Sequence, residues 1–214
     1  MKNFDLSLYL VLDPGLCQAH SLVETARLAA AGGATMVQLR DKTGDTDALV
    51  ATGRALKQAL AGTGVPLIVN DDVEAALAIG ADGVHLGQSD MAVAQARRKL
   101  GDACVIGLSV TNEEMMRAVD PALVDYVGVG PVFPTPTKRN HNPPIGFDGL
   151  KRLVDISPVP AVAIGGLKLA HVGEALASGA AGLAVVSAIC GQPDPQAASR
   201  ALAAAIRDWR ANRG

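Results

Sequence analysis

Ile79-Gly80-Ala81-Asp82-Gly83-Val84-His85-Leu86 sets the rhythm of the whole chain. An Ala-rich helical stretch ends at Ile79, Gly80 supplies a left-handed stop, and a short apolar strand begins at Gly83. The same punctuation recurs at Ala31-Gly32-Gly33-Ala34 and at Ser178-Gly179-Ala180-Ala181-Gly182. Outward from these junctions, apolar runs predict strands over Leu6–Leu12, Thr35–Leu39, Leu67–Val69, Gly83–Leu86, Cys104–Leu108, Tyr126–Val129, Ala161–Ile164 and Gly182–Val186. Helical stretches follow them at Ser21–Ala31, Asp45–Ala61, Asp72–Ile79, Asp90–Leu100, Asn112–Val119, Asp148–Ile156, Lys168–Ala177 and Pro195–Arg210. Many of these begin on a Ser, Asp or Asn that can cap the first turn. Eight β-α units without an internal linker predict an α/β fold, a single (β/α)8 TIM barrel forming one domain over residues 1–214. A doubly wound open sheet is the alternative. It more often shows a glycine fingerprint after its first strand, where this chain has Asp13-Pro14-Gly15.

Composition agrees with that architecture. The 214 residues are 49% hydrophobic but only 3% aromatic, so the core is built from Val, Ile, Leu and Ala, as in buried parallel sheets. A net charge of −2 without a basic stripe argues against nucleic acid as a partner. Cys17, Cys104 and Cys190 form no C-x-x-C pair and read as buried thiols of a reducing cytoplasm. Leu6–Leu12 is too short to span a membrane, and Asp5 and Asp13 beside it do not suit a signal peptide.

In such a barrel chemistry sits where strands end and helices begin. At the second junction, Gln38 and Arg40 share one face of their strand, with Val37 and Leu39 on the other. Asp41 and Lys42 follow at the rim. A guanidinium and an ammonium at one strand end suit a phosphate, although a solvated Arg-Asp-Lys corner is the plainer reading of that stretch alone. At the third junction, Asp72 can cap a helix, which leaves Asn70 and Asp71 without a structural duty. Asp90 at the fourth reads alone as a helix cap. Together, Asp71 and Asp90 are two hard carboxylates on adjacent loops, a set that suits Mg2+ with substrate phosphate. His85 has no histidine four residues on and no cysteine partner, so it reads as an ordinary strand histidine and not a zinc ligand. Ser109 ends the fifth strand and reads alone as a turn hydroxyl.

The sixth junction is the longest, running from Gly130 to Gly146. Its Thr135-Pro136-Thr137-Lys138 offers two hydroxyls and an ammonium stiffened by prolines. Loops of this length in a compact domain are usually functional, so it reads as an anion grip and lid, with a surface excursion as the alternative. Gly165-Gly166 and Val186-Ser187 close the rim where barrels frequently bind phosphate. No Ser-His-Asp set and no acid/base pair emerges, which points to chemistry with little proton transfer.

Taken in order, Val37-Gln38-Leu39-Arg40-Asp41-Lys42, Asn70-Asp71, Val84-His85-Leu86-Gly87-Gln88-Ser89-Asp90, Gly130-Pro131-Val132-Phe133-Pro134-Thr135-Pro136-Thr137-Lys138, Gly165-Gly166 and Val186-Ser187 resemble the thiamine-phosphate synthase family over nearly the whole chain. The resemblance implies a cytoplasmic transferase that joins 4-amino-5-hydroxymethyl-2-methylpyrimidine diphosphate to 4-methyl-5-hydroxyethylthiazole phosphate, releasing pyrophosphate. It implies that Gln38, Leu39, Arg40, Asp41, Lys42, Asn70, Ser109 and Lys138 meet the pyrimidine diphosphate. Thr135, Pro136, Thr137, Gly166, Val186 and Ser187 meet the thiazole phosphate. Arg40, Lys138 and Ser109 serve the reacting groups, and Asp71 and Asp90 hold one Mg2+. The implied partners are these two small molecules, with a homo-oligomer left open. The chain departs from the family pattern at Val110-Thr111 and over 139–142. A thiazole tautomerase-like paralogue, a sugar-phosphate isomerase barrel and a non-catalytic phosphate sensor are the rival readings.

Overall fold

The computed structural model describes residues 4–42, 45–135 and 143–212. Eight parallel strands close on themselves in sequence order, β1 pairing with both β2 and β8. They are β1 (Leu8–Leu12), β2 (Met36–Leu39), β3 (Leu67–Asn70), β4 (Gly83–Leu86), β5 (Val105–Val110), β6 (Tyr126–Val129), β7 (Ala161–Ile164) and β8 (Gly182–Val185). The helices between and after them are α1 (Leu22–Gly32), α2 (Thr46–Ala59), α3 (Val73–Ile79), α4 (Val93–Leu100), α5 (Glu113–Arg117), α6 (Gly146–Asp155), α7 (Val172–Ala177) and α8 (Pro195–Ala211). The expected (β/α)8 barrel is what forms. No helix among the described residues is long and apolar enough to cross a membrane.

Strand alternation divides the apolar side chains between two compartments. Leu8, Leu10 and Leu12, with Val37, Leu39, Val69, Val84 and Ile106, point outward into the layer beneath the helices. Tyr9, Val11, Met36, Ile68, Val105, Tyr126, Val162 and Ala184 fill the barrel itself. Both faces of each strand are therefore buried, which is why the strands read as continuous apolar runs.

Local signals place the helices. Ser21, Asp45, Asp72, Asn112 and Asp194 each accept a hydrogen bond from the backbone N–H three residues on, as N-caps do. Gly33, Gly80 and Gly179 take up the left-handed conformation after α1, α3 and α7. Asp90 is a correction. Helix α4 starts after Ala92, and the Asp90 carboxylate instead accepts from the Gly87 N–H at 2.6 Å, bracing the turn between them. Strand β5 runs on to Val110, so Ser109 is a strand residue and not a turn hydroxyl. Lys168 precedes a 3-10 turn at Leu169–His171 instead of opening a continuous helix. Cys17 and Cys190 are buried as expected, while Cys104 is half-buried.

Arg97 was not distinguished by its sequence context, yet it ties down the N-terminal end of the barrel. Its guanidinium is buried and donates to the carbonyls of Gly101, Cys104 and Leu123 and to Asp125 Oδ2. Asp125 in turn accepts from the Ile106 N–H at 2.7 Å. One side chain thus satisfies four acceptors around the starts of β5 and β6. Arg97→Met keeps the stem and removes every donor, leaving Asp125 without its counter-charge. Urea unfolding should show a loss of about 3–5 kcal/mol; a loss below about 1 kcal/mol would mean that water replaces the guanidinium freely.

Candidate active site

At the C-terminal ends of the strands lies a cavity of about 390 Å³. Its lining includes Gln38 and Arg40 of the β2 end, Asn70, His85, Ser109, Thr111, Thr135, Gly165 and Gly166, and Lys168, Val186 and Ser187. Eight of the expected site residues therefore meet in one space: Gln38, Arg40, Asn70, Ser109, Thr135, Gly166, Val186 and Ser187. Leu39 does not join them, because its side chain is fully buried in the outer layer; this follows from the alternation that turns Gln38 and Arg40 inward. Asp41 is half-buried and outside the lining. Pro136, Thr137 and Lys138 lie outside the described residues. Both ends of their loop are anchored. Val132 and Phe133 donate to the carbonyls of Ile164 and Gly165, and Ile145 and Gly146 donate to Pro131 and Val132.

The charge of the cavity is one-signed. Among the described lining residues no carboxylate appears, while Arg40 and Lys168 bring a guanidinium and an ammonium. They stand three strands apart around the ring, at the ends of β2 and β7. Arg40 donates through Nη1 to Asp13 Oδ2 at 2.9 Å, and Asp13 Oδ1 accepts from the Gly15 N–H at 3.0 Å. Lys168 donates through Nζ to Ser187 Oγ at 2.7 Å. Neither Asp13 nor Lys168 was singled out in the sequence. In the sequence Asp13 reads as a charge beside the first strand and part of an Asp-Pro-Gly turn, and Lys168 reads as a helix start.

Beside the cavity, Lys42 is paired with Asp71, whose backbone holds a left-handed φ of 64°. An Asp tolerates that conformation better than most side chains. Burial, then the neighbouring Asp90 carboxyl, push the Asp71 carboxyl above its usual range against the pull of the Lys42 ammonium. Asn70, Asp71 and Asp90 thus form a polar corner between the ends of β3 and β4.

The floor of the cavity is a chain of hydrogen bonds. Gln38 Nε2 donates to Tyr9 Oη at 2.6 Å, and Tyr9 Oη meets Tyr126 Oη at 2.8 Å. Tyr126 Oη meets His85 Nδ1 at 3.0 Å, and His85 Nε2 meets Ser109 Oγ at 3.0 Å. His85 is therefore a cavity residue in a polar network, which a lone histidine in an apolar strand did not reveal. Burial raises both phenols well above the usual tyrosine range.

Residues 8–189 match the family model described as thiamine monophosphate synthase. A thiamine-phosphate synthase from Xanthobacter autotrophicus is 50% identical over 205 residues, spanning 96% of this chain and 97% of the relative. One from Vibrio campbellii is 46% identical over 200 residues, spanning 94% and 98%. Among solved structures, a thiamine phosphate pyrophosphorylase from Pyrococcus furiosus superposes with a TM-score of 0.86 at 35% identity, covering 95% of this chain and 96% of the other. An orotidine 5'-phosphate decarboxylase from Pyrococcus horikoshii, with a TM-score of 0.68 at 15% identity, shares the fold alone.

Gly166 lets backbone approach backbone at this rim. Its φ is +69°, and an added Cβ would sit 2.7 Å from Phe133 Cβ and 2.9 Å from the Pro134 carbonyl. Gly64 has a similar φ of +76° with nothing near. Gly64→Ala should cost only the left-handed penalty, about 1–2 kcal/mol. Gly166→Ala should cost more, by roughly another 1–3 kcal/mol of overpacking. Paired urea melts of the two variants measure the difference; equal losses would mean that the β6 loop yields to the methyl group.

Proposed function

The chain belongs to the thiamine monophosphate synthase family, and we propose that its barrel joins 4-amino-5-hydroxymethyl-2-methylpyrimidine diphosphate to 4-methyl-5-hydroxyethylthiazole phosphate, giving thiamine monophosphate and pyrophosphate. The observation that carries this reading is the cavity with separate cations at Arg40 and Lys168 and no lining carboxylate among the described residues. Two phosphorylated ligands held side by side need two anion sites, and one phosphate needs only one.

In this reading Arg40, Lys42 and Asn70 hold the diphosphate, joined by Lys138 from the sixth loop. Gly166, Ser187 and Lys168 take the thiazole phosphate, with Thr135, Thr137 and Val186 beside it. The C–O bond between the pyrimidine methylene and the diphosphate breaks, and its electron pair leaves with pyrophosphate. The electron-rich aminopyrimidine stabilises the resulting methylene cation. The thiazole nitrogen lone pair then forms the C–N bond. No proton needs to move in this reaction, so the His85–Ser109 pair on the cavity floor is not called on as acid or base. The protein's work is orientation and charge stabilisation.

Asp71 and Asp90 fit a hard divalent cation, which we propose is Mg2+. Two neighbouring carboxyls, one of them pushed upward in pKa by burial and by the other, are a donor set that a cation relieves. When bound with the diphosphate, Mg2+ neutralises charge on the leaving group.

The decisive assay supplies both substrates with Mg2+ and measures thiamine monophosphate and pyrophosphate together. Product should form in equal amounts and should vanish with excess chelator. Absence of product overturns the reaction, and activity indifferent to chelator overturns the metal. Within that assay Arg40→Met should lower turnover by about 10²-fold and raise the pyrimidine diphosphate requirement. Lys168→Met should raise the thiazole phosphate KM by roughly tenfold with a smaller effect on the other substrate. If each variant affects both substrates alike, the two-site assignment fails.

A further inference from the structure

Gln38, Tyr9, Tyr126, His85 and Ser109 come from β2, β1, β6, β4 and β5, and their hydrogen bonds run unbroken across the barrel. Tyr9, Tyr126, Gln38 and His85 are all buried. The barrel makes room for this chain. Gly107 faces inward on β5, where an added Cβ would overlap the Tyr126 ring and its hydroxyl and lie 2.6 Å from His85 Nδ1. Gly128 on β6 likewise leaves only 3.1 Å to His85 Cε1. Two strands thus give up side chains at the position where the phenol meets the imidazole. None of the five residues is needed for proton transfer in the proposed reaction.

A chain of this kind has a direction, because each hydroxyl has one proton to give. With Nε2 of Gln38 turned to Tyr9, the arrangement that gives the buried Tyr9 proton an acceptor has Tyr9 Oη accept from Gln38 and donate to Tyr126 Oη. Tyr126 then gives its own proton to His85 Nδ1. That leaves the neutral imidazole with its proton on Nε2, pointing at Ser109 Oγ. Ser109 accepts and has its hydroxyl proton left for the cavity. At the other end, Gln38 spends one of its two N–H groups on Tyr9, which fixes the orientation of the amide and leaves Oε1 as its acceptor.

We propose that Tyr9, Tyr126 and His85 are positioning residues that lock Gln38 as an acceptor and Ser109 as a donor, so that the floor reads the amino-and-ring-nitrogen edge of a neutral aminopyrimidine and rejects the corresponding pyrimidinone. This rests on the proposed function and names what that site discriminates. The aminopyrimidine presents an N–H donor beside a ring-nitrogen acceptor. In the pyrimidinone a carbonyl replaces the amino group and the ring nitrogen carries the proton, so both partners are reversed. A reversed pair in a buried site leaves donor against donor and acceptor against acceptor, a mismatch of roughly 10- to 100-fold per group.

The test uses the purified full chain and two probes, 4-amino-5-hydroxymethyl-2-methylpyrimidine diphosphate and its 4-oxo counterpart. Imidazole nitrogen NMR of the ligand-free protein, with His85 assigned by its loss in His85→Asn, should show the proton on Nε2. Calorimetric titration of wild type should favour the amino probe by at least about 100-fold, from two reversed groups at roughly tenfold or more each. Tyr126→Phe removes one hydroxyl from the middle of the chain. It should mix the His85 tautomers and reduce the preference by about tenfold, mostly through tighter binding of the oxo probe. Tyr9→Phe should act in the same direction, and it reads the chain independently should Tyr126→Phe fail to fold. A wild-type His85 protonated on Nδ1 overturns the relay, as does a preference unchanged in both variants. Absence of wild-type turnover in the two-substrate assay would instead overturn the assigned reaction, and the NMR result decides the relay in either case.

Discussion

Closing eight parallel strands into a ring forces every second strand residue into an interior that water does not reach, and there a polar atom must find a partner or cost about 1–3 kcal/mol. The Tyr9–Tyr126 hydrogen bond, spanning from β1 to β6, is how this chain meets that constraint. Toward the strand starts, Met36, Ile68 and Val105 give an apolar filling. Toward the strand ends, Gln38, Asn70, His85 and Ser109 face the cavity. The two phenols sit between, each with an apolar ring and a polar tip. Without them, the inward amide and imidazole would meet hydrocarbon, and the transition from filled core to open site would have nowhere to occur.

The same alternation explains why so much of the site was legible. Gln38 and Arg40 could be assigned to one face and Val37 and Leu39 to the other from spacing alone, and the barrel keeps that assignment. The helix stops at Gly33, Gly80 and Gly179 were legible because a left-handed turn has few other residues available. What escaped were contacts made across the ring. Nothing near His85 in the chain announces Tyr126, which is 41 residues away, or Ser109, which is 24 away. Arg97 resembles any helix-surface arginine until Asp125 and three carbonyls surround it. Asp90 misled for a different reason. A carboxylate that caps a helix and one inside the tight turn before it have the same local sequence, and only the Gly87 N–H decides between them.

Both rim cations on the β2 side are already engaged by carboxylates, Arg40 by Asp13 and Lys42 by Asp71. This arrangement bears directly on how an anion could enter. Lys42 is more than half exposed, so water screens its pair with Asp71, which is worth on the order of 1 kcal/mol or less, whereas Arg40 and Asp13 are 18% exposed each and are screened less. Exchanging the Lys42 partner for a phosphate therefore costs little, and at both cations a phosphate offers more charge and more acceptor oxygens than one carboxylate. The carboxylates also do something a bare rim could not. They hold long, flexible side chains over the cavity edge before any ligand arrives, so less rotamer freedom is lost on binding. Asp13 is itself fixed by the Gly15 N–H, so Arg40 is held by an anchored partner. Lys168 has a neutral partner instead, the Ser187 hydroxyl, and keeps its full charge on the β7 side. The two cationic corners thus differ in kind. In the proposed reaction the first would exchange a carboxylate for a phosphate, with Asp71 and Asp90 nearby for a cation, and the second would gain a phosphate outright. A diphosphate that must leave suits the first, and a monophosphate that must stay through bond formation suits the second.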